Sequence, residues 1–299
     1  MNSSRLHSNI LHWYKNNSRL LPWRRTKNPY RILLSEIMAQ QTQVSRVAAF
    51  YSAWLKKFPT LSALAGATKG DVLRAWSGLG YNHRALRLHR LAKQVAENSG
   101  GRLPRTIEDL HDLPGIGKYT AHAIACFAFG AAVPVVDVNV RRIFSRIFWK
   151  VRSTGDMKPE KDIWAVAEKN LPRENAAIWN QALMDLGALV CTARAPRCGS
   201  CPVNSLCASA FSNTLKKRDL TSKRAEPSFK GIPRRIYRGR ILKALHGAPL
   251  TSRQIGERVV DGFHVRDMKW IMSVLKTMET EALIAIHGTG ERTVVHIAQ

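Results

Sequence analysis

The chain has 299 residues, with 47 lysines and arginines against 21 acidic residues and a formal net charge of +26. Its length and 45% apolar content allow a full core in a main domain plus a smaller one, and no run of about 18 apolar residues is present to cross a membrane. A charge so one-sided exceeds what solubility asks for and points to a polyanion partner, nucleic acid before an anionic membrane.

The N-terminal stretch MNSSRLHSNILHWYKNNSRL has no continuous apolar segment. It reads as an amphipathic helix and not as a secretory signal, so the expected compartment is the reducing cytoplasm. The first 210 or so residues are expected to be mostly helical. Apolar residues recur at helical spacing over 30–43, 44–58, 69–73 and 84–98. Proline and glycine signals separate them at 21–22, 58–59, 78–80 and 103–104. No strand-like alternation precedes residue 230, and no fixed-period repeat is present.

Residues 106–130 read TIEDLHDLPGIGKYTAHAIACFAFG. A helix running into Leu113 breaks at Pro114-Gly115-Ile116-Gly117 and resumes at Lys118. The two glycines permit a tight turn and close approach of backbone N–H groups to a phosphate, and the dipole of the following helix faces the same anion. A plain glycine-rich connector is the alternative. In so basic a chain, sequence-independent phosphate contact by Gly115, Gly117 and Lys118 is the stronger reading. In the next segment, VPVVDVNVRRIFSR, Asp137 is the only acid in apolar surroundings. It is either the N-cap of a helix over 138–147 or a functional carboxylate, and the two roles can coexist.

Four of the five cysteines fall in CTARAPRCGSCPVNSLC. The spacing of Cys191, Cys198, Cys201 and Cys207 makes a local thiolate cage that suits a [4Fe–4S] cluster. Zinc competes for such a set, and a pair of disulfides would need an oxidising compartment. Arg194 and Arg197 in this loop could meet phosphate. Cys126, in an apolar helix, reads as a core thiol, and the tryptophans at 13, 23, 54, 76, 149, 164 and 179 read mostly as core. His83 and His89 are expected to be exposed.

Residues 212–234 are polar, basic and punctuated by Pro and Gly, and read as a linker. Beyond them, helices are expected over 235–245, 251–260 and 265–280. Short strands at 283–286 and 293–297 then flank the turn HGTGER. Three helices and a hairpin is the winged-helix order, with Lys269, Lys276 and Arg292 as candidates to meet DNA; a small interaction or dimerisation domain of the same shape is the alternative.

Taken together, LPWRRTKNPYRILLSEIMAQQTQV, WSGLGYNHRALRLH, LPGIGKYTA, VVDVNVRR, WNQALMDLGALVC and the four-cysteine run resemble the helix–hairpin–helix, iron–sulfur DNA glycosylases. Within that superfamily they resemble the MutY-type enzymes, which excise adenine mispaired with an oxidised guanine. The resemblance covers about residues 8–210. It implies an all-α helix–hairpin–helix glycosylase fold with a [4Fe–4S] cluster loop, plus a small C-terminal winged-helix-like α+β domain. The six-helix module would span about 22–131, the iron–sulfur module 1–21 plus 132–211, and the tail domain 235–299.

By the same resemblance, Glu36 matches the acid that protonates the departing base. Asp137 matches the carboxylate that stabilises the sugar cation, supported by Tyr119 and Asn139. Arg24 and Gln181 match the lining of the base pocket, and Gln41 and Tyr81 match residues inserted into the duplex. Tyr119 occupies the slot where lyase-type relatives carry a nucleophilic lysine. Lys118 precedes it by one residue, about 100° around a helix. The implied enzyme is therefore a monofunctional glycosylase in base excision repair, a monomer acting on duplex DNA in the cytoplasm.

The chain departs from the pattern in three places, the first being Asn82 where a second aromatic usually follows Tyr81. MutY-type enzymes usually carry a C-terminal domain resembling Nudix hydrolases, and the tail here looks winged-helix-like. The step Asp137-Val138-Asn139 is closer to mismatch thymine glycosylases, so thymine or uracil opposite guanine is the alternative substrate. A non-catalytic iron–sulfur DNA-binding regulator is the alternative from another class, and joint retention of Glu36, Tyr119, Asp137 and Asn139 argues against it.

Overall fold

The structure, a computed structural model, describes residues 3–151, 156–212, 226–288 and 293–298. Within residues 1–33, 105–112 and 116–222 the described ones form one compact unit, and within residues 34–104, 113–115 and 223–299 a second. The helices in chain order are α1 (Ser3–Asn17), α2 (Pro29–Ala39), α3 (Val44–Lys57), α4 (Leu61–Ala65), α5 (Lys69–Trp76), α6 (His83–Ser99) and α7 (Ile107–His111). They continue with α8 (Lys118–Phe129), α9 (Val138–Phe148), α10 (Glu160–Lys169), α11 (Ala176–Leu189), α12 (Arg234–Ala244), α13 (Ser252–Val259) and α14 (Met268–Thr280). Among the described residues no helix is long and apolar enough to cross a membrane.

In the first unit, α11 packs against α1 and α9, and α9 against α10. Leu6, Ile10, Ile143, Phe144, Trp179, Leu183 and Leu186 form its centre, each at most 1% exposed. Asp137 starts α9 as the sequence suggested, its Oδ1 accepting Val140 N–H at 2.7 Å. An N-cap of this kind is worth about 1 kcal/mol. Two single-turn 3-10 helices, Cys198–Ser200 and Asn204–Leu206, shape the cysteine loop.

In the second unit, α4 and α5 pack on α6, and Trp54 meets Trp76 edge to face at 5.3 Å. Thr60 and Thr68 cap α4 and α5 through their side chains. The C-terminal part runs α12, β3 (Leu250–Thr251), α13, α14, β4 (Ile284–His287) and β5 (Val294–Ile297), with sheet order β3-β5-β4. Val295 of β5 pairs with Leu250 and with Ile286, so the hairpin is pinned to the strand before α13. Its core, with Tyr237, Ile241, Ile255, Ile271, Val274, Leu275 and Val295, also takes in Leu73 of α5.

Several details differ from the sequence expectation. The end of the stretch expected as a linker is a small hairpin, β1 (Ser228–Phe229) against β2 (Ile232–Pro233), because Phe229 stacks on Trp270 at 4.4 Å. Residues 213–225 of that stretch, and Arg292, lie outside the described residues. His89, expected exposed, is 4% exposed. It lies on the side of α6 that faces α4, and burial holds its pKa below the usual histidine value. Cys126 is a core thiol, pushed up to about 11 by burial.

Candidate active site and iron–sulfur centre

In the first unit, Asp137 is the centre of a chain of hydrogen bonds. Its Oδ1 takes the N–H of Val140, and its Oδ2 takes the amide Nδ2 of Asn139 at 2.7 Å. Asn139 Oδ1 in turn accepts from Arg142 Nη2 at 2.8 Å. Arg142 also donates to the carbonyls of Gly187 (2.8 Å) and Cys191 (2.8 Å). Burial pushes the Asp137 carboxyl above the usual aspartate value, and the donors from Val140 and Asn139 restrain that rise. The anion is thus costly yet oriented, as suits a carboxylate that faces developing positive charge. Gly187 lets α11 approach this group, since a Cβ there would lie 2.5 Å from Asn139 Cβ. Tyr119, on the first turn of α8, is half-buried against the same core. The Lys118 ammonium beside it sits over the Trp164 ring at 4.1 Å, a cation–π contact.

Arg24 and Gln181 belong to a second network around Asp185, which is fully buried. Asp185 accepts from Arg24 Nη1 (2.6 Å) and Nη2 (2.7 Å) and from Arg19 N (2.9 Å) and Nε (2.6 Å). Burial alone would raise this carboxyl, but Arg24 and Arg19 outweigh it and hold it below the ordinary value. Tyr14, whose hydroxyl burial keeps protonated, donates to Gln181 Oε1 at 3.0 Å. Gln181 is thereby oriented with its NH2 as the remaining donor.

In the second unit, Glu36 is half-buried on the last turn of α2, among buried Leu33, Leu34, Ile37 and Met38. Gln41 and Tyr81 are exposed, Tyr81 at 53%, and both have left-handed backbone, with φ of 54° and 47°. In the hairpin between α7 and α8, Gly115 has φ +83°, where a side chain is strained, and its Cα faces Arg87. Gly117 is different. Its φ is −97° and a Cβ would meet nothing within 4 Å, so neither the backbone nor the protein's own packing demands a glycine there.

The four loop cysteines are free thiols, all half-buried, and line one cavity together with Arg146 and Arg197. Burial first, then the neighbouring thiols, pushes Cys201 up to about 11, and burial likewise raises Cys207. Such a cage is costly to ionise without a cationic guest. Among the described residues no three His, Cys, Asp or Glu side chains converge closely enough to grip a single metal ion. The four thiols line one space, and a set of four thiolates suits a [4Fe–4S] cluster. Arg146 Nη1 lies 3.3 Å from Cys191 Sγ and donates to the Thr192 carbonyl at 2.7 Å, so α9 braces the loop.

Residues 34–169 match the HhH-GPD superfamily base excision DNA repair protein model, and residues 191–207 match the iron-sulfur binding domain of endonuclease III. An adenine DNA glycosylase of Mycobacterium tuberculosis is 39% identical over 289 residues, 95% of this chain and 94% of that protein. The chain belongs to the MutY-type adenine DNA glycosylase family. It is a DNA N-glycosylase with a [4Fe–4S] cluster. The alignment with the Mycobacterium tuberculosis protein covers nearly the whole chain and so extends into the C-terminal part. An adenine DNA glycosylase of Mycolicibacterium smegmatis is 49% identical over 197 residues, 65% of this chain and 66% of that protein, just under two thirds of its length. The solved structure of a thermostable thymine-DNA glycosylase superposes with a TM-score of 0.66 at 32% identity, covering 70% of this chain and 97% of that one.

Sequence reasoning missed Asp185, Arg19 and Tyr14, and the arginines Arg142 and Arg146. Asp185 carries the signal that exposed Asp137, a lone acid in an apolar segment. Asn139, Arg142 and Arg146, spaced three and four apart, share one face of α9.

Proposed function

We propose that this chain excises adenine from a mispair, opposite 8-oxoguanine or guanine, as a monofunctional glycosylase that leaves an abasic site. It acts on duplex DNA as a monomer in the cytoplasm. The observation that carries the reading is Asp137, held at the start of α9 by Val140 N–H and the Asn139 amide. A base inside a duplex is unreachable, so it is flipped out, with Gln41 and Tyr81 entering the duplex. Glu36 gives its proton to a ring nitrogen of the base as the C1′–N9 bond breaks and its electron pair leaves with the base. Ionised Asp137, positioned by Asn139 and supported by Tyr119, stabilises the cationic sugar until water adds at C1′ and loses a proton, which restores the Glu36 carboxyl. The products are free adenine and an abasic site.

The NH2 of Gln181 meets an acceptor on the base edge, and Arg24, anchored on Asp185, walls the pocket. Gly115, Gly117 and Lys118 contact phosphate. Cys191, Cys198, Cys201 and Cys207 hold the cluster, which supplies the charge and cross-linking that order residues 191–207. A tyrosine at 119 fills the slot where lyase-type relatives carry a nucleophilic lysine, and Lys118 is turned about 100° from it, so no Schiff-base nucleophile stands at that slot.

The test is single-turnover base release from duplexes holding A opposite 8-oxoguanine, A opposite G, T opposite G, U opposite G, and matched pairs. Release from the adenine duplexes, with strand breaks only after alkali, is expected. Release only from T or U opposite G would overturn it in favour of the second reading, which the likeness to the thymine-DNA glycosylase structure favours.

A further inference from the structure

Arg84 of α6 is 3% exposed, and every acceptor it meets is a carbonyl or a hydroxyl. Nη1 donates to the carbonyls of Ile37 (2.9 Å), Met38 (2.9 Å) and Gln40 (2.5 Å). Nη2 donates to Thr42 Oγ1 (3.0 Å) and to the carbonyl of Gly80 (3.1 Å), with that of Leu79 at 3.5 Å. The guanidinium also lies over the rings of Trp76 (5.2 Å) and Tyr81 (5.5 Å). Burial lowers its pKa only to about 10, so it stays cationic at neutral pH.

The first three acceptors are at and just beyond the C-terminal end of α2, where helix carbonyls lack partners within the helix and a cation is favoured. The other segment is the turn before α6. Between and beside these contacts stand Gln41 and Tyr81, both in the left-handed region. That conformation is costly for a residue with a Cβ and persists only where the surroundings over-determine it. Both residues are exposed at their side chains, so packing does not fix them; the backbone on either side of them does. One planar fork reaching two segments at once is a geometry arginine offers and lysine does not.

We propose that Arg84 is a positioning residue for base flipping. Its buried guanidinium clamps the end of α2 to the 79–80 turn and so sets Gln41 and Tyr81 together in the conformations from which they enter the duplex. The same clamp fixes the last turn of the helix that carries Glu36. The inference rests on the proposed roles of Gln41 and Tyr81.

The experiment is a double-mutant cycle on the full, cluster-loaded chain, with Arg84→Lys and Tyr81→Ala. The probe is a duplex carrying A opposite 8-oxoguanine with 2-aminopurine beside the adenine, whose fluorescence reports unstacking. Arg84→Lys is expected to keep the cluster absorption and to bind the duplex within about threefold of wild type, while flipping amplitude and single-turnover release fall about tenfold, roughly 1.4 kcal/mol. In the Tyr81→Ala background the same change is expected to cost clearly less, about threefold, because one of the two residues it positions is gone. Wild-type flipping in Arg84→Lys, or an equal penalty in both backgrounds, overturns the proposal.

A measurement on the unaltered chain covers a variant that does not fold. Amide hydrogen exchange of segments 37–42 and 79–84 is expected to show one shared opening free energy, and separate openings overturn the clamp. Retention of flipping in Tyr81→Ala alone would instead sink the reading of Tyr81 and leave the clamp to be decided by exchange.

Discussion

Asp185→Asn is the sharpest test of how the first unit holds its pocket. The carboxylate has no solvent exposure, while the side chains of Arg19 and Arg24 are 26% and 11% exposed. Asparagine keeps the shape and one acceptor but removes the charge, so four donors lose an anion and two cations lose their partner. Breaking a buried ion pair from one side costs about 3–5 kcal/mol. Arg19 retains enough exposure to hydrate, so the lower end is expected, about 3 kcal/mol, and at roughly 2–4 °C per kcal/mol the midpoint falls by about 6–12 °C. The assay is thermal and urea unfolding of the cluster-loaded chain at pH 7, followed by circular dichroism. The folded pKa of Asp185 lies below its unfolded value of about 3.9, so its contribution is present above that value and lost as pH falls through the folded pKa. The gap between wild type and variant therefore closes in acid. Adding Arg24→Met to Asp185→Asn removes the stranded cation and is expected to recover part of the loss. A loss below about 1 kcal/mol at pH 7, or a double variant with the full sum of both penalties, would refute the argument.

Two further outcomes follow from the site geometry. Asn139→Ala removes a donor that favours ionised Asp137, so its already raised pKa rises further and the acid limb of the base-release profile moves to higher pH; a limb at the wild-type position would show that Asn139 does not tune this carboxyl. Gly115→Ala and Gly117→Ala are expected to separate folding from binding. The first costs about 1–2 kcal/mol for its left-handed backbone, with Arg87 Cβ 3.2 Å from the new methyl. The second changes stability by no more than about 0.5 kcal/mol but weakens duplex binding with a shallower salt dependence. Equal effects of the two on melting, or unaltered binding by Gly117→Ala, would refute the phosphate-contact reading of the turn.

The helical fold was legible where period, cap and breaker coincide. Asp137 ahead of α9, the glycine turn ahead of α8 and the cysteine run each announce themselves locally. What stayed hidden depends on distant partners. The five-residue α4 is too short to show a period and is fixed by its Thr60 cap and by packing on α6. The β1–β2 hairpin lies in a polar, basic stretch, and Trp270, some forty residues away, makes its Phe229 apolar surface worth burying. In so basic a chain a single arginine carries almost no information, so nothing in the sequence singles out Arg84, Arg142 and Arg146, although each is at most 7% exposed. Each is buried because it serves backbone carbonyls at a helix end or in a loop, and those acceptors have no signature in side-chain identity. α2 is the converse case. Its helical pattern runs on to residue 43, yet the helix ends at Ala39, where Arg84 takes the carbonyls of Ile37 and Met38.

The excess of cations also explains why the acids matter. Against 47 basic side chains, an anion placed at random would be neutralised by whichever arginine reached it. Asp185 accepts that fate, and its two arginines make it an anchor with a depressed pKa. Asp137 avoids it. Its hydrogen-bond donors are a backbone N–H and a neutral amide, and Asn139 stands between it and the Arg142 guanidinium. An arginine bound directly to Asp137 would lower its pKa and spend its negative charge in the ground state. An intervening asparagine orients the carboxylate and leaves its charge for a cation that exists only as the glycosidic bond breaks. On the proposed role of Asp137, withholding an ion pair from this half-buried carboxylate costs stability so that the transition state can be bound. The raised pKa of Asp137 and the lowered pKa of Asp185 then go with different proposed work: one carboxylate stores negative charge, and the other anchors Arg24 and Arg19.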